Sequence, residues 1–407
     1  MQQESDLTLE PTAEPKTAGP ALLRVVLLAD DRSLQHYGPV LRRLSIGLLD
    51  EVSDLSLLCT GTSDLLQHVP SPPVRLITES RGYTEDPPQA YATARQLSVV
   101  TPRFDLYEHL LPQRRIQRIA QALLPFKPNL LHALSERQAQ LARRLSKRLA
   151  IPYVLSILAL EPAHLNFSPH RCGAILAGSS YLTRQIRSLY PGMASRIHYL
   201  PIGTHVTDKP ACFSREGKVP TLFCSCPLER DKGLPVLLLA LKKLREQSLA
   251  PHLLIAGKGS DEYLLRRLVR QCGVSDQVHF IPPLRCLTRD NEAFKAVLKT
   301  VDIFIQTCPV KMWQPELLEA MSVGNAVIAV DSEQNDLILP EKTALTVPFQ
   351  QTQALIEAFR RLLTDRPFAC RLALQAQDHI RKHFLASHMI SRMAHTYTHA
   401  AALKTKP

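Results

Sequence analysis

The stretch KMWQPELLEAMSVGNAVIAVDS, residues 311–332, sets two carboxylates three residues apart at the head of an apolar run. Pro315 fits the first turn of a helix, Glu316 and Glu319 then share one face, and Gly324 suits the stop before the strand NAVIAV. Carboxylates in a first helical turn are favoured by the helix dipole, so capping is one reading. The other is that a carboxylate here accepts hydrogen bonds from the vicinal hydroxyls of a ribose, which two acceptor oxygens suit. In CPLERDKGLPVLLLALKKL a strand gives way to a charged loop, and Lys232 and Gly233 open a helix. Backbone N–H groups and a cation at a helix start can hold an anion such as a diphosphate; a solvated surface turn has the same sequence. In LLIAGKGSDEYLLRRL, Gly257 and Gly259 permit a tight turn and close backbone approach to a ligand, or serve a plain strand-to-helix turn.

Those elements need a sizeable fold to position them. With 407 residues, 45% of them hydrophobic, the chain can bury more than one core, and two domains are expected. Lys and Arg number 49 against 37 Asp and Glu, a formal charge of +12 that suits anionic partners. Nine cysteines are scattered, and the one close pair, Cys224-Ser-Cys226, lacks zinc spacing and a second pair. They read as reduced and mostly buried, hence a cytoplasmic protein with no metal site. Runs such as LPVLLLALKKL are too short to span a bilayer, and the first residues lack a basic region followed by an apolar one.

Residues 1–20 are polar, punctuated by proline and poor in large apolar groups, which predicts a disordered tail. From there, short apolar runs (LRVVLLAD, LSLLCT, NLLHAL, PYVLSIL, CGAILAGS) alternate with amphipathic stretches, the pattern of a parallel sheet covered on both faces. THVTDKPACFSREGKVP breaks the alternation, which restarts with PTLFCSC, HLLIAGKG, QVHFIPP, IFIQTC and NAVIAV. The fold class is therefore α/β, with two Rossmann-like doubly wound domains facing a central cleft at the carboxyl ends of their strands. The expected boundaries are 21–206 for the first, 207–219 for a linker and 220–384 for the second. Helices from Gln351 to Ala401 close the chain, and the one at about 385–403 is expected to pack back on the first domain.

As an ordered set, CPLERDKG, AGKG, KMWQPELLEAM and GNAVIAVD resemble the nucleotide-binding domain of glycosyltransferase family 4, the retaining GT-B enzymes. The first half is similar more loosely, through NLLHALSERQAQLARRLSKRLAIPYVLS, AILAGSSYLTRQI and RIHYLPIGTHV, so the likeness runs from residue 22 to about 400. The resemblance implies retaining transfer of a sugar from a nucleoside-diphosphate sugar, without a cofactor or metal, to a glycan or lipid-linked acceptor. Lys232 matches the family's diphosphate-binding lysine, Glu319 the glutamate that holds the ribose, and Gly233, Gly257, Gly259 and Glu316 complete the donor-side set. Gly38 and His132 match acceptor-side positions, His132 with a core histidine as its alternative reading.

Several positions depart from the pattern. Pro227 stands for the partner arginine, Lys311 for the glutamate that contacts the donor sugar, Met312-Trp313-Gln314 for a small Gly-Phe-Gly run, and Leu158 for a histidine near the reacting sugar. Losing one cation at 227 and gaining Lys311 keeps the number constant, so Lys232 and Lys311 are expected to grip the diphosphate together. The same departures define a second reading, a catalytically inactive protein of this fold acting as a binding or scaffolding subunit; phosphorolysis or epimerisation is a third. The basic helices around Arg114 and Arg143 read as solvated faces or as a peripheral contact with an anionic membrane on its inner face. No nucleic-acid module or aromatic stacking run is present.

Overall fold

The computed structural model describes residues 23–29, 48, 54–59, 74–78, 97–101, 112–158, 165, 167–215, 217–284, 291–309, 315–332 and 335–403. The expected tail, Gly38 and residues 311–314, Lys311 among them, lie outside this set.

In the first half the apolar runs form β1 (Arg24–Ala29), β2 (Asp54–Cys59), β3 (Val74–Thr78), β4 (Leu97–Thr101), β5 (Leu130–Ala133), β6 (Tyr153–Ile157), β7 (Cys172–Ala177) and β8 (Ile197–Tyr199). They pair in parallel, in the order β3-β4-β2-β1-β5-β6-β7-β8. Continuous rather than alternating apolar runs mean that both faces are covered. In β1, Val25, Leu27 and Ala29 enter one core while Val26 and Leu28 enter the other. Among the described residues, helices α1 (Pro112–Leu123), α2 (Ala139–Leu149) and α3 (Ser180–Leu189) lie between these strands. Helix α2 buries Ala139, Ala142, Leu145 and Ser146 at helical spacing and leaves Arg144, Lys147 and Arg148 exposed.

The second half repeats the plan with β9 (Thr221–Ser225), β10 (His252–Ala256), β11 (Val278–Ile281), β12 (Ile303–Gln306), β13 (Ala326–Val330) and β14 (Leu345–Val347), all parallel in the order β11-β10-β9-β12-β13-β14. Its helices are α4 (Leu234–Glu246), α5 (Glu262–Cys272), α6 (Asn291–Leu298), α7 (Pro315–Val323), α8 (Thr352–Thr364) and α9 (Arg366–His383). Helix α7 starts at Pro315 and stops before Gly324, as its sequence predicts, and every residue in it except Glu316 is buried.

The two halves meet where the chain passes between them. Thr204 bridges to Leu385: the Thr204 N–H donates to the Phe384 carbonyl at 2.8 Å and the Ala386 N–H donates to the Thr204 carbonyl at 3.0 Å. The following segment supplies donors to the end of α7, Thr207 to Ser322, Ala211 to Val323 and Cys212 to Gly324, all within 3.1 Å. A helix end leaves carbonyls without intrahelical partners, and these bonds satisfy them, so residues 207–212 are docked against α7. The last helix, α10 (Ala386–Ala401), returns to β5, β6 and β7, where Met389, Met393, Tyr397 and Ala400 complete the first core. Across the same boundary Asp336 accepts hydrogen bonds from the Ser180 N–H at 2.7 Å and the Ser180 hydroxyl at 2.5 Å. A carboxylate there also meets the positive end of the α3 dipole.

Gly324 has φ +81°, and a Cβ on it would stand 2.6 Å from the Pro210 Cα. Gly324→Ala is expected to destabilise the protein by roughly 2–5 kcal/mol, left-handed strain of about 1–2 plus overpacking of about 1–3. Denaturant unfolding checks it, and an unchanged midpoint would show that the segment is not docked here.

Candidate functional site

In the second half, the Lys232–Gly233 loop and the Gly257–Gly259 turn meet at the carboxyl edge of the sheet. After β9 the chain runs through Cys226 to Glu229, makes a short 3-10 turn over Arg230–Lys232, and enters α4 through Gly233. Gly233 has φ +79°, and a Cβ on it would collide with the Thr307 carbonyl oxygen at the end of β12. Only glycine satisfies both demands, so the turn that presents Lys232 is fixed by the neighbouring strand. The Lys232 ammonium lies 3.0 Å from the Asp231 carboxylate and 3.2 Å from that of Glu229, which raise its pKa and keep it charged. Both acids are exposed, so these pairs are screened and an anionic ligand can exchange for them at low cost.

Gly257 and Gly259 follow β10 and do permit close approach, but to the protein itself. A Cβ on Gly257 would overlap the Cys226 carbonyl oxygen, and one on Gly259 the Leu228 carbonyl oxygen. The Cys226 N–H donates to Ala256 O at 3.1 Å, the Asp261 N–H to Leu228 O at 3.1 Å, and the Arg230 N–H to the Asp261 carboxylate at 3.0 Å. The glycine turn is thus stitched to the loop that carries Lys232, and it positions that loop. Pro227, where a cation was lacking, is exposed at the centre of this seam.

Glu319 is 2% exposed and already engaged. The Thr204 hydroxyl approaches both of its oxygens at 2.9 Å, and the Lys295 ammonium on α6 lies 3.2 Å from Oε2. The Ser322 hydroxyl stands 3.4 Å from the same oxygen. Glu316, on the partly exposed face, has its pKa raised by burial, with the Glu319 charge adding to the shift and its own backbone N–H opposing it. Glu316 stands in the first turn of α7, where a carboxylate meets the positive end of the helix dipole.

His132 corrects an expectation. It has no exposed surface: Nδ1 lies 2.6 Å from the Tyr397 hydroxyl and Nε2 lies 2.8 Å from the Ser156 hydroxyl, between β1 and β6. It is a core histidine with both nitrogens bonded, not an acceptor-side group, and burial lowers its pKa to about 3. Leu158 is half-buried and packs on the same core. Gly38 and Lys311 lie outside the described residues. Sequence reasoning missed Thr204, Lys295, Thr307 and Asp336, whose roles come from partners more than 20 residues away. A lysine within AFKAVLKT or a threonine within IGTHV carries no local signal of such a partner.

Two outcomes are expected. Lys295→Met takes away the ammonium that lies 3.2 Å from the buried Glu319 carboxylate and should cost about 3–5 kcal/mol, most of it recovered when Glu319→Gln is added; urea unfolding of the single and double variants checks this. His132 binds a proton in the unfolded chain below its usual 6.5 but in the folded one only near 3. The unfolded state therefore holds more protons between those values, and this group's contribution is intact above about pH 6.5 and falls as pH drops, by up to ~1.4 kcal/mol per unit. His132→Gln should show a shallower loss of stability between neutral and mildly acidic pH; an identical slope would contradict it.

Comparison with known proteins agrees with this layout. Residues 209–379 match the model of a family described as Glycosyl transferases group 1. A GDP-mannose-dependent alpha-(1-6)-phosphatidylinositol monomannoside mannosyltransferase of Mycobacterium tuberculosis is 29% identical over 218 residues, 49% of this chain and 55% of that protein. The chain thus spans about half the length of the curated relatives it matches. Among solved structures, a glycosyltransferase from Rickettsia africae ESF-5 superposes with a TM-score of 0.69 at 12% identity, covering 93% of this chain and 99% of that one. Anabaena Alr3699/HepE in complex with UDP and glucose gives 0.65 at 15% identity, covering 92% and 99%. Two parallel sheets joined in this way make a GT-B fold, and it is in the second half of the chain, over residues 209–379, that the likeness to the glycosyl transferases group 1 family lies.

Proposed function

We propose that the protein is a glycosyltransferase that moves a sugar from a nucleoside-diphosphate sugar to a glycan or lipid-linked acceptor with retention. The observation that carries this is the edge formed by the ends of β9, β10 and β12, where a preset cation, Lys232, stands at the start of α4 within the family-matched segment. In this reading Lys232 and the first N–H groups of α4 hold the diphosphate and stabilise the charge that develops on it as the sugar leaves. Lys311 is the second cation of the reading. The seam between Cys226–Leu228 and Gly257–Gly259 keeps the Lys232 loop in place before the donor arrives, so less ordering is required on binding. GDP-mannose and UDP-glucose are the first donors to try, since a mannosyltransferase relative is GDP-mannose-dependent by name and a structural neighbour holds UDP and glucose.

A lipid-linked acceptor accords with the exposed basic groups Arg114, Arg144, Lys147 and Arg148 on α1 and α2, which suit a peripheral contact with an anionic membrane from the cytoplasmic side. Among the described residues no helix is long and apolar enough to cross a membrane. The engaged state of Glu319 favours a second reading, in which the fold has kept its shape and serves as a binding or scaffolding subunit without transfer.

Calorimetric titration with UDP, GDP, ADP and their sugars separates the two. Saturable binding by one nucleoside diphosphate, weakened at least roughly tenfold by Lys232→Ala but with the parent nucleoside unaffected, is the expected result, the size of one charge-assisted hydrogen bond. No binding by any of them would leave the scaffolding reading. Flotation with anionic vesicles should show binding that salt removes.

A further inference from the structure

The thiols of the Cys224-Ser-Cys226 pair have no part in the donor reading. Cys224 is the fourth residue of β9 and Cys226 the first beyond it, so both side chains point to the same face, toward the core that contains α4. Their sulfurs are 3.7 Å apart, and each stands 3.9 Å from the Thr307 hydroxyl. Cys224 is fully buried, whereas Cys226 is partly exposed at the start of the loop that carries Lys232.

We propose that Cys224 and Cys226 are a peroxide-responsive dithiol, and that joining them in a disulfide withdraws the Lys232 loop and switches the donor site off. The switching part rests on the donor reading above; the bond formation does not.

The two thiols are chemically unequal. Cys226 is held below its ordinary pKa chiefly by the hydrogen bond from Cys224, with Thr307 and the Lys232 ammonium adding to the effect and burial opposing it. Cys224 is held well above its own, by that same bond and by burial. Cys226 is therefore the group that reaches a thiolate, and the exposed one. Its thiolate attacks one oxygen of a hydroperoxide and the O–O bond breaks. The sulfur is oxidised to a sulfenic acid and the other oxygen leaves as water after taking a proton. The Cys224 sulfur then attacks the Cys226 sulfur, the S–O bond breaks, and a second water departs with the Cys224 proton. Two thiols and one hydroperoxide give one disulfide and two waters, or one water and an alcohol.

The sulfurs must close from 3.7 Å to about 2.05 Å. Residues two apart in an extended strand have Cα atoms about 6.6 Å apart, near the upper limit for a disulfide, so the bond pulls the end of β9 inward. The Cys226 N–H and carbonyl are the points at which the loop is seamed to Ala256 and Gly257, so that movement is passed to Lys232. A strained disulfide is also readily reduced, which makes the change reversible.

The test treats the purified full chain with a small excess of hydrogen peroxide, alkylates the remaining thiols with iodoacetamide and maps the peptides by mass spectrometry. Calorimetric titration with UDP and GDP accompanies each state. Expected is an unalkylated peptide holding Cys224 and Cys226, lighter by two hydrogens. Nucleotide affinity should fall at least roughly tenfold and return with dithiothreitol. Cys224→Ser should instead give a sulfenic acid at Cys226 that dimedone traps, while Cys308→Ser should behave like the parent. Cys224 and Cys226 both alkylated after peroxide would overturn the proposal, whether or not another pair such as Cys212 and Cys370 has been oxidised. So would a disulfide at 224–226 that leaves nucleotide affinity unchanged. Reduced protein that forms the bond but binds no nucleotide would support the dithiol and sink the donor reading. Nucleotide binding with no bond formed would do the reverse.

Discussion

A carboxylate with almost no access to water has to be neutralised where it lies, and the junction of this protein is arranged around that demand. Glu319 is met by Lys295 from α6 and by Thr204 from the segment that leaves the first sheet. Removing either ion from water costs several kcal/mol, repaid only when the partner and the remaining hydrogen bonds are in place together. Thr204 is therefore held at α7, and its backbone pairs with Leu385 where the chain returns to the first half. With both passages side by side, α10 is delivered to the first sheet, and Tyr397 reaches His132 across 265 residues of sequence.

The Lys232 loop follows a comparable logic with backbone in place of charge. Its position is set by Thr307 behind Gly233 and by the glycine turn beside Cys226 and Leu228. Strands β10, β9 and β12, the last separated from the other two in sequence by β11, lie side by side in the sheet and meet at that edge. A loop over-determined in this way can hold a lysine ready for an anion without spending ligand affinity on ordering it.

What could be read in the sequence was whatever local physics dictates. Continuous apolar runs such as VVLLA and AVIAV demand cover on both faces and announced parallel sheets; Pro315 and Gly324 marked the limits of α7. Conformational needs of single residues were equally plain at Gly233 and Gly257. Their causes were not, because a carbonyl brought up from another strand leaves no mark near the glycine. The same holds for His132, where Ser156 and Tyr397 decide between a ligand-facing and a core residue. Lys295 was hidden most thoroughly, since a lysine on an amphipathic helix reads as solvated until its partner is known.

Glu319 connects these two kinds of reading. As a carboxylate it has about four acceptor positions, and Thr204, Lys295 and Ser322 already approach both oxygens. A ribose that bonds to Glu319 must share or displace those groups, and Thr204 is the one that belongs to the passage between the halves. Under the donor reading, then, ribose recognition and the seating of that passage draw on the same two oxygens. The cost of rearranging them is subtracted from the nucleotide's affinity, whereas the diphosphate contact at the exposed Lys232 carries no such charge. On that reading the phosphate end of a donor is the part this protein is prepared for, and the ribose end is the part for which its structure must yield.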